Sequence, residues 1–432
     1  MLIFMLVVLF VMLFARVPIF VALAFAPLLT LVLGGDIPTS VVAQRMFAGI
    51  DKFSLMAMPF FIFAADIMRR GGIAQRLLEF TLCLAGFMRG GLALTTQLAC
   101  MFFGALSGSS PATVAAMGGL MYPEMVKKGY DRAFAVGLIT ASGAVAILIP
   151  PSITLIVYGT VTGVSIGALF VGGIMPGIIF GAAILAYSYY MAVKGKRLPD
   201  ATFSLKEIVR TGKNAAWSLG VPIIILGGIY TGVFTPTESA GVSAVYAAFV
   251  GMFIYKEFDW KSLMETALQS TITLAGVMVL VAGASVFGWV LTVYQAPQLL
   301  AEMMMGPNAT QIAFWIAINV LFLIAGMFMD GAAAVTILAP LVYPIAMKLG
   351  INPVHLGVVL TANLAIGMYT PPFGLNLFVA TGVTKEPMVK IIPAVMPFIA
   401  VTIVALLLIT YLPEITLYLP SITYPDSVGI GR

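Results

Sequence analysis

Two consecutive prolines, Pro150-Pro151, sit inside an apolar stretch that runs from about residue 133 to 162. Each removes an amide donor and pushes the residue before it out of the α region, so no continuous helix passes through Ile149-Pro150-Pro151-Ser152. Inside a bilayer, broken backbone is tolerated only where protein or a wet cavity supplies the hydrogen bonds that lipid lacks. The interruption recurs 221 residues later, where Thr370-Pro371-Pro372-Phe373 splits a second apolar stretch over about residues 354–383. Paired interruptions at corresponding places of two halves are the strongest sequence pointer to a solute site in a membrane carrier.

A 432-residue chain that is 61% hydrophobic and 9% charged, with mean hydropathy +1.09, does not fold as a soluble globule. Its apolar runs approach the ~20 residues of a spanning helix and lack the alternation of barrel strands, so the expected fold is an all-α polytopic membrane protein. The first run, residues 2–14, has no basic segment before it, and Arg16 follows it, so it reads as a retained span rather than a signal peptide. Cys83 and Cys100 are the only cysteines and His355 the only histidine, which argues against a disulfide framework or a metal cluster. The net charge of +5 is spread over span-flanking loops, where it reports orientation and gives no reason to expect nucleic acid.

In chain order, residues 1–40 hold N-terminal scaffold spans, one kinked at Arg16-Val17-Pro18 or two short ones. Residues 41–193 form a first repeat: a span near 53–68, an amphipathic interfacial helix flanked by Arg69-Arg70, Arg76 and Arg89, a hairpin over 91–126, a broken helix over 133–162 and a closing span over 168–193. Residues 194–260 are a basic linker (Lys194, Lys196, Arg197, Lys206, Arg210, Lys213) and two linking spans, 217–234 and 238–255, joined at Thr235-Pro236-Thr237. Residues 261–413 repeat the plan: a span over 263–294, a short interfacial helix over 297–305, a hairpin over 310–349, a broken helix over 354–383 and a closing span. Residues 414–432 are a C-terminal tail.

The hairpins are read from their centres. The first, GALSGSSPATVAA, collects Gly104, Ser107, Gly108, Ser109, Ser110 and Pro111, where glycine frees the backbone, serine competes for its hydrogen bonds and proline suits a helix start. The second is interrupted at Gly326, Asp330 and Gly331. Arms of about 15 residues would carry each tip roughly 20 Å into a core about 30 Å thick, close to its midplane.

At the fixed offset of 221, Tyr122-Pro123 matches Tyr343-Pro344, Gly129 matches Gly350, Thr140-Ala141 matches Thr361-Ala362, and Met175-Pro176 matches Met396-Pro397. Each repeat makes three crossings and two spans link them, so an odd number separates equivalent points and the second copy is expected to be inverted. Loop charge agrees: with residues 194–213 in the cytoplasm, Arg69 to Arg89, Lys127-Lys128, Lys256 and Lys385 join them there, while residues 295–309 carry no Lys or Arg.

The tips and breaks should converge and present free helix N-termini, which attract anions, beside carbonyl and hydroxyl oxygens suited to a hard cation such as sodium. The expected sodium-binding set is Ser107, Gly108, Ser109, Ser110, Pro150 and Ser152 in one half, with Gly326, Asp330, Gly331, Thr370 and Gly374 in the other. Tip 107–110 should pair with break 150–152, and tip 326–331 with break 370–374. Substrate contact is expected at Ser109, Ser152, Thr154 and Asn376. Asp330 is the sharpest of these, because an intramembrane carboxylate is costly. Small polar residues also let helices pack closely, and Ser142 and Asn363, equivalent in the two repeats, fit that role as well. Asp66, near Arg69-Arg70, and His355, at a span start, read as interface residues.

As a set, GALSGSSPATVAA, Met125-Val126-Lys127-Lys128-Gly129-Tyr130, IPPSITLIVYG, GMFMDG and YTPPFGLNLF resemble the large membrane subunit of tripartite ATP-independent periplasmic (TRAP) transporters, over nearly the whole chain. The resemblance implies an elevator-type, sodium-coupled importer of organic acids such as sialic acid or C4-dicarboxylates in a bacterial inner membrane. It also implies two partners, a small membrane subunit and a periplasmic substrate-binding protein. Because the chain starts at the large-subunit pattern, the small subunit is expected to be a separate polypeptide. The main alternative is a stand-alone sodium/organic-anion transporter of the same architecture. A membrane enzyme would want clustered His, Cys or paired carboxylates, and a channel would want a continuous polar pore.

Overall fold

A computed structural model of the chain describes residues 1–15, 17–35, 37–296 and 310–428. Arg16 and the expected interfacial helix at 297–305 lie outside them. The regular secondary structure of the described residues is helical, with one isolated β-bridge between Arg89 and Pro199.

The N-terminal segment is two helices, α1 (Leu2–Phe14) and α2 (Ile19–Gly34), the second starting directly after Pro18. α3 (Ser40–Ile50) was not expected; it is followed after a 57° bend by a 3-10 turn and α4 (Ala57–Arg70). α5 (Ile73–Ala85) leads to the first hairpin, α6 (Gly91–Ser107) and α7 (Ser110–Lys127). The first broken helix is α8 (Arg132–Ala144), a 3-10 turn and α9 (Ile153–Thr162), and α10 (Ile166–Lys194) closes the half.

The linking spans are α11 (Leu205–Pro222), which passes through a π-turn into α12 (Gly228–Tyr230), and α13 (Pro236–Phe249). The Thr235 turn between them is a capping box, in which Thr235 Oγ1 accepts from Glu238 N and the Glu238 carboxylate accepts from Thr235 N.

The second half opens with α14 (Trp260–Val293). Its hairpin is α15 (Gln311–Phe328) and α16 (Gly331–Lys348), and its broken helix is α17 (Pro353–Gly367) and α18 (Leu375–Thr384). α19 (Met388–Tyr411) and α20 (Glu414–Thr423) follow.

Among the described residues, six helices are long and apolar enough to cross a membrane, or seven if the bent α3–α4 pair counts as one span. Two of the six, α15 and α16, are the arms of the second hairpin. The hairpin arms have 17 or 18 residues rather than about 15, roughly 26 Å at 1.5 Å per residue, so arm length alone does not set the depth of the tips. Each broken helix has a longer piece of 13 to 15 helical residues before its prolines and 10 after them.

The main core runs through α4 to α19, and a smaller one joins α1, α2 and α3 to α14 and to Ile337 of α16. His355, expected at an interface, is instead buried: its Nδ1 lies 2.7 Å from the Thr416 hydroxyl and its Nε2 3.2 Å from the Thr410 carbonyl. Asp66 accepts from Ser270 of α14 (2.7 Å) and pairs with Arg69.

Two polar clusters hold the hairpin ends. Asp200, in the basic linker, accepts from Leu92 N (2.8 Å) at the start of α6 and from the Tyr130 hydroxyl (2.7 Å) after α7. Arg197 donates to the carbonyls of Lys128 and Gly129 and stacks over the Tyr130 ring, and the amides of Asp200 and Ala201 donate to Gly86 O. The second cluster lies in the turn between α18 and α19. There the buried Glu386 accepts from the Tyr122 hydroxyl (2.7 Å) of α7 and from Arg132 (3.3 Å) of α8.

Candidate functional site

Four helices start at the tips and breaks. α6 ends at Gly108, whose φ of +59° reverses the chain, Ser109 is extended, and Pro111 opens α7. The second tip turns without glycine at that place: Met329 is extended, and Asp330 caps α16 by accepting from Ala332 N (3.2 Å) and Ala333 N (3.3 Å). At the first break, Ser152 Oγ donates to Ile147 O (2.5 Å) and accepts from Leu155 N (3.3 Å), so one hydroxyl closes the helix before the prolines and starts α9. At the second, Thr370 Oγ1 donates back to Ile366 O (2.7 Å), and Gly374, at φ +42°, starts α18 with no side-chain cap. Both double prolines contain a cis peptide bond.

Each break is tied to the tip of its own half. Ile153 N donates to Gly108 O (3.4 Å), and Gly374 N, 221 residues on, donates to Met327 O (2.8 Å). The approach is close: a Cβ on Gly108 would stand 2.4 Å from Pro151 O, and one on Gly367 only 2.6 Å from the Gly326 Cα. This is why glycine occupies those positions.

The halves then exchange contacts. Asn376, in the first turn of α18, donates to Ser110 Oγ (2.7 Å), accepts from it (3.1 Å) and donates to Thr140 O (3.3 Å), joining the first hairpin to the second break. Gly331, which is Ser110 at the offset of 221, lies against Thr154 in the first turn of α9, where a Cβ would meet Thr154 Oγ1 at 2.8 Å. The second arm of each hairpin therefore packs on the helix that follows the other half's break.

The structure thus sets Gly108 against Pro151 and Ile153 in the first half and Gly326 against Gly367, with Met327 bonded to Gly374, in the second, while Ser110 and Gly331 face Asn376 and Thr154 of the opposite half. Ser107 faces inward, its hydroxyl 2.9 Å from that of Thr113. Of the four residues expected to touch substrate, Ser152, Thr154 and Asn376 are buried, and the Ser152 hydroxyl and Asn376 amide are engaged by protein groups. Only Ser109 is half-exposed. These three frame the site. What the arrangement offers is four convergent helix N-termini, a carboxylate and several hydroxyl and carbonyl oxygens, a setting that can hold a cation and an anion side by side.

Sequence reading missed two contributors, the Asn376–Ser110–Thr140 cluster and Lys52. The first joins residues 236 and 266 apart in sequence, which no local pattern reveals. Lys52 sits in the bend between α3 and α4 and donates to Thr160 O (2.8 Å) near the end of α9. A signal was present: at the offset of 221, the charged pair Asp51-Lys52 stands opposite the uncharged Ile272-Thr273.

The chain is similar to known proteins along nearly its whole length. Residues 6–415 match the family model described as the tripartite ATP-independent periplasmic transporter, DctM component. The C4-dicarboxylate TRAP transporter large permease protein of Vibrio cholerae is 40% identical, with 95% of both chains covered. The sialic acid TRAP transporter large permease of the same organism is 36% identical over 95% of this chain and 96% of that one. The isethionate TRAP transporter permease DctMQ of Oleidesulfovibrio alaskensis is 43% identical over 93% of this chain, which spans 64% of that relative's length. Among solved structures, the Alcanivorax borkumensis YdaH transporter, reported to have an unusual topology, matches in fold with a TM-score of 0.55 at 14% identity, covering 85% of this chain and 88% of its own. With its matched tips and breaks and these relatives, the chain belongs to the DctM family, the large permease component of TRAP transporters.

Proposed function

We propose that this chain is the permease of a sodium-coupled secondary importer for an organic acid, acting in a bacterial inner membrane with a small membrane subunit and a periplasmic substrate-binding protein. The observation that carries the reading is the convergence of two hairpin tips and two helix breaks, cross-linked by the Asn376–Ser110 and Gly331–Thr154 contacts. A dehydrated sodium ion needs a cluster of oxygens, and unwound backbone beside Ser107 to Ser110, Ser152, Asp330 and Thr370 offers one without further unfolding. Helix N-termini at the same place favour the acid. Because each hairpin grips the other half's helix, α6 to α9 and α15 to α18 form one body, the part that would travel past the remaining helices in an elevator motion. The relatives named for C4-dicarboxylates, sialic acid and isethionate handle solutes with an acid group, which fits this chemistry.

The test is uptake of labelled succinate and N-acetylneuraminate into proteoliposomes, with and without a sodium gradient and the cognate binding protein. Uptake should require both. Ser109→Ala and Asp330→Ala should weaken the sodium dependence more than they lower protein abundance, and unchanged dependence in both would remove the ions from the tips. Full uptake without the binding protein would instead identify a stand-alone transporter.

A further inference from the structure

A cavity of about 200 Å³ lies where the α3–α4 bend and α14 face α9 and α16. One wall carries Gly49, Lys52, Ser285 and Trp289, the other Thr160 and Thr336. Lys52 lines the cavity and is exposed as a residue, and its ammonium donates to the Thr160 carbonyl. A lysine at a helix end is ordinarily a cap, and here one of its three N–H groups serves that purpose.

Capping does not account for the rest of the wall. A helix C-terminus carries roughly half a negative charge, so a full ammonium there leaves roughly half a positive charge unbalanced. Among the described residues, those lining the cavity include no Asp or Glu. A second cation, Arg45, lies over the Trp289 ring at 4.9 Å. The cavity is also near the tips: Thr336 is five residues beyond Gly331 along α16 and Thr160 seven beyond Ile153 along α9, about 8 and 10 Å. It is smaller than the roughly 300–1,000 Å³ sites of drug-sized ligands, which suits a compact acid or the acidic end of a larger one.

We propose that this cavity is a carboxylate subsite with Lys52 as its cationic anchor, through which the permease takes hold of an organic acid. The inference rests on the organic-acid reading above and adds the residue that selects the charge. Its walls belong to two bodies, so the subsite is complete only when α9 and α16 are seated against the α3–α4 bend, as they are here.

The experiment uses the full chain in nanodiscs, with Cys83→Ser and Cys100→Ala, and Ser285→Cys as a reporter inside the cavity. Reaction rates with an anionic sulfonatoethyl and a cationic trimethylammonioethyl methanethiosulfonate are each normalised to an exposed control cysteine. With Lys52 present, the anionic reagent should react about fivefold faster, the ratio expected for a charge a few ångströms away in a wet site. Lys52→Met should abolish the preference and Lys52→Arg should keep it. Succinate or N-acetylneuraminate should slow labelling in the Lys52 and Lys52→Arg chains only. No anionic preference with Lys52 in place overturns the proposal without any Lys52 variant; so does a preference that survives Lys52→Met, or labelling that neither acid slows. None of these readouts requires transport, so a chain that imports neither acid fails the functional reading separately.

Discussion

In the second half of the molecule a single 34-residue helix, α14, occupies the register that α3 and α4 share in the first. At the offset of 221, α3 and α4 begin and end within two residues of the ends of α14, yet one path is continuous and the other bends by 57°. The cause is local. Asp51-Lys52 stand where α14 has Ile272-Thr273, and Lys52 adopts an extended backbone that interrupts the helix. The hairpins and breaks, by contrast, keep the same layout in both halves: α6 and α15 end, and α7 and α16 begin, at positions 221 apart. The inner elements are built alike because each half needs a tip against a break. The outer helix is free to differ, and the difference puts a cation on one side of the site only.

The strongest way to break the comparison is to ask whether the halves face opposite ways. Single cysteines at Lys127 and Lys348, after replacement of Cys83 and Cys100, should label from opposite faces of sealed vesicles, an all-or-none result. Labelling of both from one face would end the inverted arrangement.

Next is the tip, where the halves use different residues at one position. Gly108→Val places a side chain in a left-handed conformation and 2.4 Å from Pro151 O, and should cost about 2–5 kcal/mol. Met329, its counterpart, is extended, and Met329→Val should cost less than about 1 kcal/mol. Thermal midpoints and the yield of monodisperse protein separate the two outcomes; equal losses would mean that the tips are not built differently.

A smaller effect is expected at Asn376, which stands opposite Leu155. Asn376→Leu leaves the Thr140 carbonyl and Ser110 hydroxyl without this partner in a buried place and should cost about 1–3 kcal/mol. A thermal midpoint unchanged from wild type would show that the exchange between halves contributes nothing.

The smallest concerns Glu386, opposite Ser165, which simply caps α10. The hydrogen bond from Tyr122 holds the Glu386 carboxyl below its ordinary 4.5, with Arg132 and Lys390 adding to the effect. A lowered folded value means that the ionised form stabilises the fold. That contribution is complete above 4.5 and is lost as pH falls through the lowered value. Glu386→Gln should therefore lower stability by about 1 kcal/mol at neutral pH, and the gap should close under acid. A gap that widens toward low pH would refute this.

Much of the inner architecture was legible because glycine and proline act through their own backbone: Gly108, Pro111, Pro150-Pro151, Pro371-Pro372 and Gly374 mark turns and breaks wherever they stand. The pairing of each tip with its own break followed from symmetry. α3 was not legible, since Ser40, Gln44 and Arg45 dilute its apolar face and the span was expected to begin only at residue 53. The burial of Ser152, Thr154 and Asn376 was not legible either, because it depends on which helix of the other half packs over them.

The Asp200–Arg197 clasp gives hairpin one the mechanics of a beam built in at its supports. Both feet, Leu92 and residues 128–130, are fastened to the strap that continues into α11. Such a beam has no pivot at its base: it bends near its free end or carries its mounting with it. Load applied at the Ser107–Ser110 end is therefore transmitted through the strap, which makes residues 195–204 a gauge of what happens at the tip some 25 Å away along the helix.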